Sequence, residues 1–131
     1  MRKIVITACL FLGACAPQLK TQRPTVVQAI TLKPVQLATI QKAAASGLKD
    51  PGSAQFDDVA ATLLSDGTTY ICGKVNAKNS YGGYIGFKPF NGKGDRDINY
   101  FDLKDMATVM DSGDYIREEC RENNIFLSGG R

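Results

Sequence analysis

The residues best suited to chemistry lie between Cys72 and Phe90, in the stretch CGKVNAKNSYGGYIGFKPF. Tyrosine combined with Gly and Asn is typical of protein recognition, because rigid rings alternate with adaptable polar groups. Lysines add positive charge to this stretch, and no acidic residue separates them. We therefore predict a partner-binding surface that comprises Lys74, Asn76, Lys78, Asn79, Tyr81, Tyr84 and Lys88.

The same stretch also has a purely structural interpretation. Asn79, Gly82 and Gly83 would meet the backbone demands of a tight turn or a bulge. The tyrosines would then be partly buried cover for a small core. The sequence leaves the turn and the binding loop open as alternatives.

Catalytic and metal-binding chemistry have little support in the sequence. Histidine is absent, which removes the commonest general base and the commonest metal ligand. Ser80 has no neighbouring base to activate it, and Asp57 and Asp58 on a predicted strand would point to opposite faces. We predict a protein that is not an enzyme and that uses no cofactor and no metal.

Residues 1–15, MRKIVITACLFLGAC, have the layout of a secretory signal peptide. A basic start precedes an apolar run from Ile4 to Leu12, which is too short for the about 20 residues that span a bilayer. Small residues and Cys15 follow, and Leu12-Gly13-Ala14-Cys15 resembles a bacterial lipobox. That resemblance implies cleavage before Cys15 and lipidation of its thiol, and the alternative is a plain signal peptide with a chance cysteine. Ala16, in place of Asp, implies by the same resemblance transport to the outer membrane, where several acyl chains give stable anchoring.

The charge balance excludes a general nucleic-acid binder. The chain has 16 basic and 13 acidic residues, and loss of Arg2 and Lys3 with the signal peptide lowers the basic count to 14. Basic residues concentrate in 74–96 and acidic residues in 97–122. Either the two segments neutralise each other, or the basic loop is offered to acidic lipid headgroups, glycan or a protein surface.

The four cysteines have separate predicted roles. Cys9 leaves with the signal peptide and Cys15 is lipidated, which leaves Cys72 and Cys120 in an oxidising compartment. We predict that these two form a disulfide bond, which contributes about 4 kcal/mol in the chain-entropy model. Two buried free thiols or a redox pair are the alternatives, although the usual Cys-x-x-Cys spacing of a redox pair is absent.

Hydrophobic periodicity and turn residues predict a small α+β domain. The predicted helices cover 35–49, 102–111 with Asp102 as N-cap, and 115–121. The predicted strands cover 56–64, 69–76, 84–90 and a short segment at 98–101. The expected fold is an N-terminal helix packed on an antiparallel sheet of three or four strands, with a C-terminal helical segment and one disulfide. The predicted divisions are a signal peptide (1–14), a lipidated N-terminus and flexible tether (15–34), one periplasmic domain (35–127) and a frayed tail (128–131). A short strand from Val26 to Leu32 is the alternative for part of the tether.

Two segments of the chain resemble a group of small exported bacterial proteins. Residues 49–56, KDPGSAQF, and residues 72–84, CGKVNAKNSYGGY, are similar to the DPxSAxF and CGxVNAKNxxGGY segments of that group. Many of its members look like lipoproteins and some are prophage-encoded. The resemblance implies a small exported domain, and it implies no activity and no role for any single residue.

These observations together predict a lipoprotein on the periplasmic face of the outer membrane, anchored by acyl chains, that binds a protein or another envelope component through residues 74–90. One alternative is an inhibitor or phage superinfection-exclusion protein that blocks an outer-membrane receptor or a wall-degrading enzyme, which would require a protruding loop at 79–84. The other is a purely structural envelope lipoprotein, in which that loop would be packed down.

Overall fold

The computed structural model describes residues 22–129, so the predicted signal peptide, Cys15 and the first part of the tether lie outside the described residues. The elements are β1 (Val26–Ile30), α1 (Pro34–Ala45), a 3₁₀ turn (Pro51–Ser53), β2 (Gln55–Leu64), β3 (Thr69–Asn76), β4 (Lys88–Gly94), β5 (Phe101–Met106) and α2 (Asp114–Glu122). The five strands form one antiparallel sheet in the order β1-β2-β3-β4-β5. Between residues 22 and 129, no helix is long and apolar enough to cross a membrane.

The predicted fold class is wrong in the number of strands and in the position of the first helix. The domain is mostly sheet, with five strands instead of three or four, and its first described element is a strand and not a helix. The predicted helix at 102–111 is replaced by β5, and the third predicted strand is displaced to β4. The predicted hairpin of 56–64 and 69–76 agrees with β2 and β3 to within one residue.

The strand β1 lies inside the segment predicted as a tether, and a bulge explains why its periodicity is not visible. Val26 pairs with Leu64 while Gln28 pairs with Leu63, so β1 carries one extra residue. Val26 consequently packs on one side of the sheet and Ile30 on the other. A strand whose apolar residues change face does not show the period of two that predicts strands.

A bulge in β5 gives its apolar residues the spacing of a helix. Gly92 pairs with Leu103 and Asn91 pairs with Asp105, which leaves Lys104 as the extra residue. Leu103 and Met106 therefore face the same side of the sheet although they are three residues apart. A spacing of three is the helical signature, and this explains the incorrect helix prediction.

The helix α1 covers one face of the sheet and packs on the larger apolar core. Phe90 lies at the centre of this core, with its ring 6.0 Å from the rings of Phe56 and Phe101 and edge-on to both. The glycine at 73 on β3 leaves room for the Phe90 ring, because a Cβ there would lie 2.6 Å from its Cζ. From α1 the core receives Ile40 and Ala44.

The helix α2 lies on the opposite face and buries only Ile116 and Cys120. The predicted disulfide between Cys72 and Cys120 is confirmed, and it joins the centre of β3 to α2 across 48 residues of chain. Two buried side chains are too few to hold a nine-residue helix by hydrophobic burial alone, at about 1.5–3 kcal/mol each. The bond therefore adds a covalent link to a second, smaller apolar cluster, in which α2 packs with Leu64, Ala107 and Ile125.

The chain enters the sheet at one end and forms its longest irregular loop at the other. Thr25 and Ser65 hydrogen-bond to each other beside the β2–β3 turn, which we call the tether end. Residues 77–87 join β3 to β4 at the opposite end, which we call the distal end. The eight residues of β3 separate the two ends by about 26 Å at ~3.3 Å per residue.

The close approach at Gly73 predicts a large effect of a single methyl group. Gly73→Ala should lower the free energy of unfolding by about 2 kcal/mol, because the new Cβ would lie 2.6 Å from Cζ of the fully buried Phe90 ring. Urea denaturation followed by circular dichroism measures this. Gly47→Ala is the control, since a Cβ there meets nothing within 4 Å. Equal stability of the two variants would show that the core does not depend on this contact.

Candidate partner-binding site

Lys74, the first predicted contact residue, is buried at 6% exposure and engaged inside the domain. Its Nζ lies 3.0 Å from the Asp57 and Asp58 carboxylates, and it donates to the backbone oxygen of Ser128 at 3.1 Å and to its Oγ at 2.8 Å. Burial alone would lower the pKa of Lys74, but the two aspartates more than reverse this effect and raise it. Lys74 is therefore a structural cation that a partner does not reach.

The two aspartates do not point to opposite faces, which corrects the sequence prediction. A bulge in β2 between Asp57 and Ala60 adds one residue, and Asp58 adopts a left-handed conformation with φ of 51°. Both carboxylates consequently meet the same ammonium group. Asp58 also accepts from the backbone N–H of Ser128 at 2.7 Å, so the tail predicted to fray from Ser128 is held at that residue.

The predicted contact residues between 76 and 84 belong to a small, well-braced hairpin at the distal end. Asn79 donates its N–H to Gly83 and its oxygen accepts from Gly82, which closes a three-residue loop with Gly82 at φ of 81°. The Asn79 side chain accepts from the N–H groups of Tyr81 and Gly83, and the Asn76 side chain accepts from Gly86. These two asparagines thus serve the turn, as the structural interpretation expects.

Tyr84 and Lys78 make contacts inside the domain and also contribute to its surface. The Tyr84 hydroxyl donates to the Ser53 carbonyl at 3.2 Å, and Lys78 places its ammonium 5.6 Å from the Tyr84 ring centre. The Ser53 hydroxyl accepts from the Lys78 N–H at 2.9 Å. Tyr84 nevertheless keeps 46% of its surface exposed. Lys88 is the half-buried first residue of β4.

Tyr81 is the residue of this loop that the turn does not require. The β2–β3 turn has the same pattern of hydrogen bonds, from Leu64 to Thr68 and from Gly67 to Leu64, with Gly67 at φ of 82°. There Asp66 occupies the equivalent position and its carboxylate accepts from Thr68. Tyr81 instead is 97% exposed. The turn therefore does not need a large aromatic ring at this position, because the short polar Asp66 serves the equivalent position in the β2–β3 turn.

An apolar groove of about 540 Å³ lies beside this loop, and we call it the distal groove. It is bounded by the end of α1, by the loop, and by the segment from the end of β5 to Val109; its lining includes Leu48, Ala77, Ile85, Leu103, Met106 and Val109. Lys49 and Lys78 also line it, and no acidic residue does. The sequence does not reveal the groove, because Leu103 and Met106 fall within the helix predicted over 102–111.

A second polar cluster, nearer the tether end, fixes α2 to the sheet. Glu119 accepts from Lys104 at 2.7 Å, from Asn91 at 2.7 Å and from Tyr70 at 3.2 Å. The bond from Lys104 is the main reason that the pKa of Glu119 is lowered, and burial, followed by the Glu119 charge, raises the pKa of Tyr70. The adjoining cavity of about 760 Å³ is lined by charges of both signs, so it favours neither anions nor cations.

The two charged segments of the sequence do not neutralise each other through the ion pairs seen in residues 22–129. Lys74 pairs with Asp57 and Asp58, and Lys104 pairs with Glu119 and Asp105 inside the acidic segment. Within the same described range, no group of three or more Cys, Asp or Glu side chains is placed to hold a metal ion. Comparison with protein-family models, with curated proteins and with solved structures finds no match to this chain.

The contacts of Asp58 predict an acid-labile contribution to stability. Hydrogen bonds from Ser128 and then from Lys74 lower the pKa of Asp58 from 3.8 to about 2. A group with a depressed folded-state pKa stabilises the fold above its unfolded pKa, and this contribution is lost as the pH falls from about 4 to about 2. Asp58→Asn should cost about 1–2 kcal/mol at pH 7 and flatten that part of the stability profile.

Denaturation with urea between pH 2 and pH 7 measures this profile. Asp102→Asn is the matched control, because Asp102 is an exposed aspartate on β5. If both variants follow the same curve as the unaltered protein, the contacts of Asp58 make no net contribution.

Proposed function

We propose that the chain is a non-enzymatic lipoprotein, anchored at the periplasmic face of the outer membrane through acyl chains on Cys15, that binds a partner protein with its distal end. The exposure of Tyr81 is the observation that carries the partner-binding part, because the ring is 97% exposed on a loop with a hydrogen-bonded backbone. A rigid exposed aromatic loses little conformational entropy on binding, and such residues are typical interface anchors.

The placement of the two ends supports this proposal. The chain that leads from Cys15 joins the sheet at the tether end, beside Ser65. A chain anchored there carries the Tyr81 loop on the far side of the domain, about 26 Å further along β3. The segment from Cys15 to Val26 reaches at most about 40 Å, so the loop can meet partners at some distance from the membrane surface.

The disulfide supports export on independent grounds. Cys72 and Cys120 form a bond of the kind that persists in the periplasm and outside the cell and that is rare in the cytosol. Export agrees with the layout of residues 1–15. The exposed Tyr81 ring also favours the alternative of an inhibitor or exclusion protein over a purely structural lipoprotein, because an inhibitor would use the same loop to block a receptor or a wall-degrading enzyme.

The anchoring part is tested by acylation. Cells that express the full chain should incorporate labelled palmitate into it, and Cys15→Ser should abolish the label, because the Cys15 thiol is the acceptor. Cys9→Ser is the matched control and should keep the label, since Cys9 lies in the part that is removed. Label on the Cys15→Ser chain, or no label on the unaltered chain, would contradict lipidation at Cys15.

The binding part is tested by cross-linking from the loop. A photoreactive phenylalanine analogue at position 81 of the acylated full chain should yield a specific adduct in envelope membranes. The same analogue at Tyr100, which is 50% exposed at the tether end, is the control and should not yield it. Tyr81→Ala should then weaken binding of the purified partner about 30-fold, the effect of losing an anchor worth about 2 kcal/mol. Equal affinity of the two proteins would refute the role of Tyr81.

A further inference from the structure

We infer that the distal groove receives an acidic, amphipathic segment of the partner protein, with an apolar side chain in the groove and carboxylates on Lys49 and Lys78. This inference rests on the proposed function and names the chemistry of the partner. It adds residues from α1 and from the segment after β5 to the loop, and the sequence analysis does not single these out as a binding surface.

The apolar character of the groove arises because α1 does not cover the whole sheet. The helix ends at Ala45, and the bulge at Lys104 turns both Leu103 and Met106 toward this uncovered corner. The following segment adds Val109, which lines the groove and is 61% exposed, and the next residue, Met110, is 92% exposed. Large exposed apolar side chains gathered at one corner of a small domain mark an interaction surface.

The positive charge of the groove lining favours a negatively charged occupant. Lys49 and Lys78 are the charged residues in its lining. Lys78 is held in place by its backbone bond to Ser53 and by the Tyr84 ring under its ammonium. A carboxylate that approaches either lysine meets no acidic side chain in the lining, so complementarity favours an acidic occupant.

The extent of the exposed surface favours a peptide segment over a small anionic amphiphile. A fatty acid would fill the groove, but it would leave exposed the Tyr81 ring, which is not part of the groove lining. The residues Asn79 and Ser80 line the groove and lead directly to Tyr81, so the loop and the groove form one continuous surface. A segment of several residues covers both, with one anchor side chain in the groove and the rest of the chain against Tyr81.

A phage-displayed library of random twelve-residue peptides tests this inference against the acylated full chain in detergent micelles. The enriched peptides should combine an apolar residue with Asp or Glu. Val109→Asp should weaken their binding at least tenfold, and the pair Lys49→Glu with Lys78→Glu should shift the enriched sequences from acidic to basic. Val35→Asp is the matched control, because Val35 is 70% exposed near the start of α1 and outside the groove lining, and it should leave binding unchanged.

Each other outcome overturns the inference. No enriched peptide, enriched peptides without acidic residues, or equal binding to the Val109→Asp and Val35→Asp chains would do so. Binding of dodecanoate in the groove without any enriched peptide would identify a small anionic amphiphile as the occupant. If the groove variants bind the cross-linked partner normally while Tyr81→Ala does not, the groove inference fails and the proposed function stands.

Discussion

Three bonds from one face of β3 join the C-terminal layer of this domain to the sheet. Tyr70, Cys72 and Lys74 are alternate residues on the central strand, so they face the same side of the sheet. They contact, in order, Glu119 through a hydrogen bond, Cys120 through the disulfide and Ser128 through the buried ammonium. The helix α2 has little apolar surface with which to dock by itself. The second layer therefore combines these three bonds with a smaller apolar cluster that includes Ile116 and Ile125, while the α1 face is an apolar core around Phe90.

Local sequence signals predicted the parts of the fold that obey a regular period. The β2–β3 hairpin follows from the Asp66-Gly67 turn between two strand-like runs, and the disulfide follows from assigning Cys9 and Cys15 to other roles. The errors fall where a bulge adds one residue. The bulge in β1 hides its strand, the bulge at Lys104 gives β5 a helical spacing, and the bulge at Asp58 reverses the expected direction of a carboxylate. An extra residue is set by pairing with the neighbouring strand, which a single sequence does not display.

The candidate site was predicted in part. Some of its predicted residues bond to groups inside the domain, and others do not. Asn76 and Asn79 satisfy N–H groups of the loop, and the buried ammonium of Lys74 pairs with two carboxylates of β2, so the sequence signal that singled them out is structural. The side chain of Tyr81 has no such structural role, since 97% of its surface is exposed. The groove residues near Leu103 come from a segment far along the chain, and only the folded sheet brings them to the loop. The turn and the binding loop that the sequence offered as alternatives therefore do not exclude each other, since the hydrogen-bonded turn leaves the Tyr81 ring exposed.

The opposite placement of the chain entry and the Tyr81 loop determines how the domain would carry mechanical load. A protein anchored at one end that holds a partner at the other is pulled lengthwise, parallel to β1, β2 and β3. The ladder hydrogen bonds between these antiparallel strands lie perpendicular to that pull, so they share the force in shear and do not open one after another. The disulfide at the middle of β3 adds a covalent link between the sheet and α2. Such a geometry suits a connector that stays folded while the two surfaces it joins move apart.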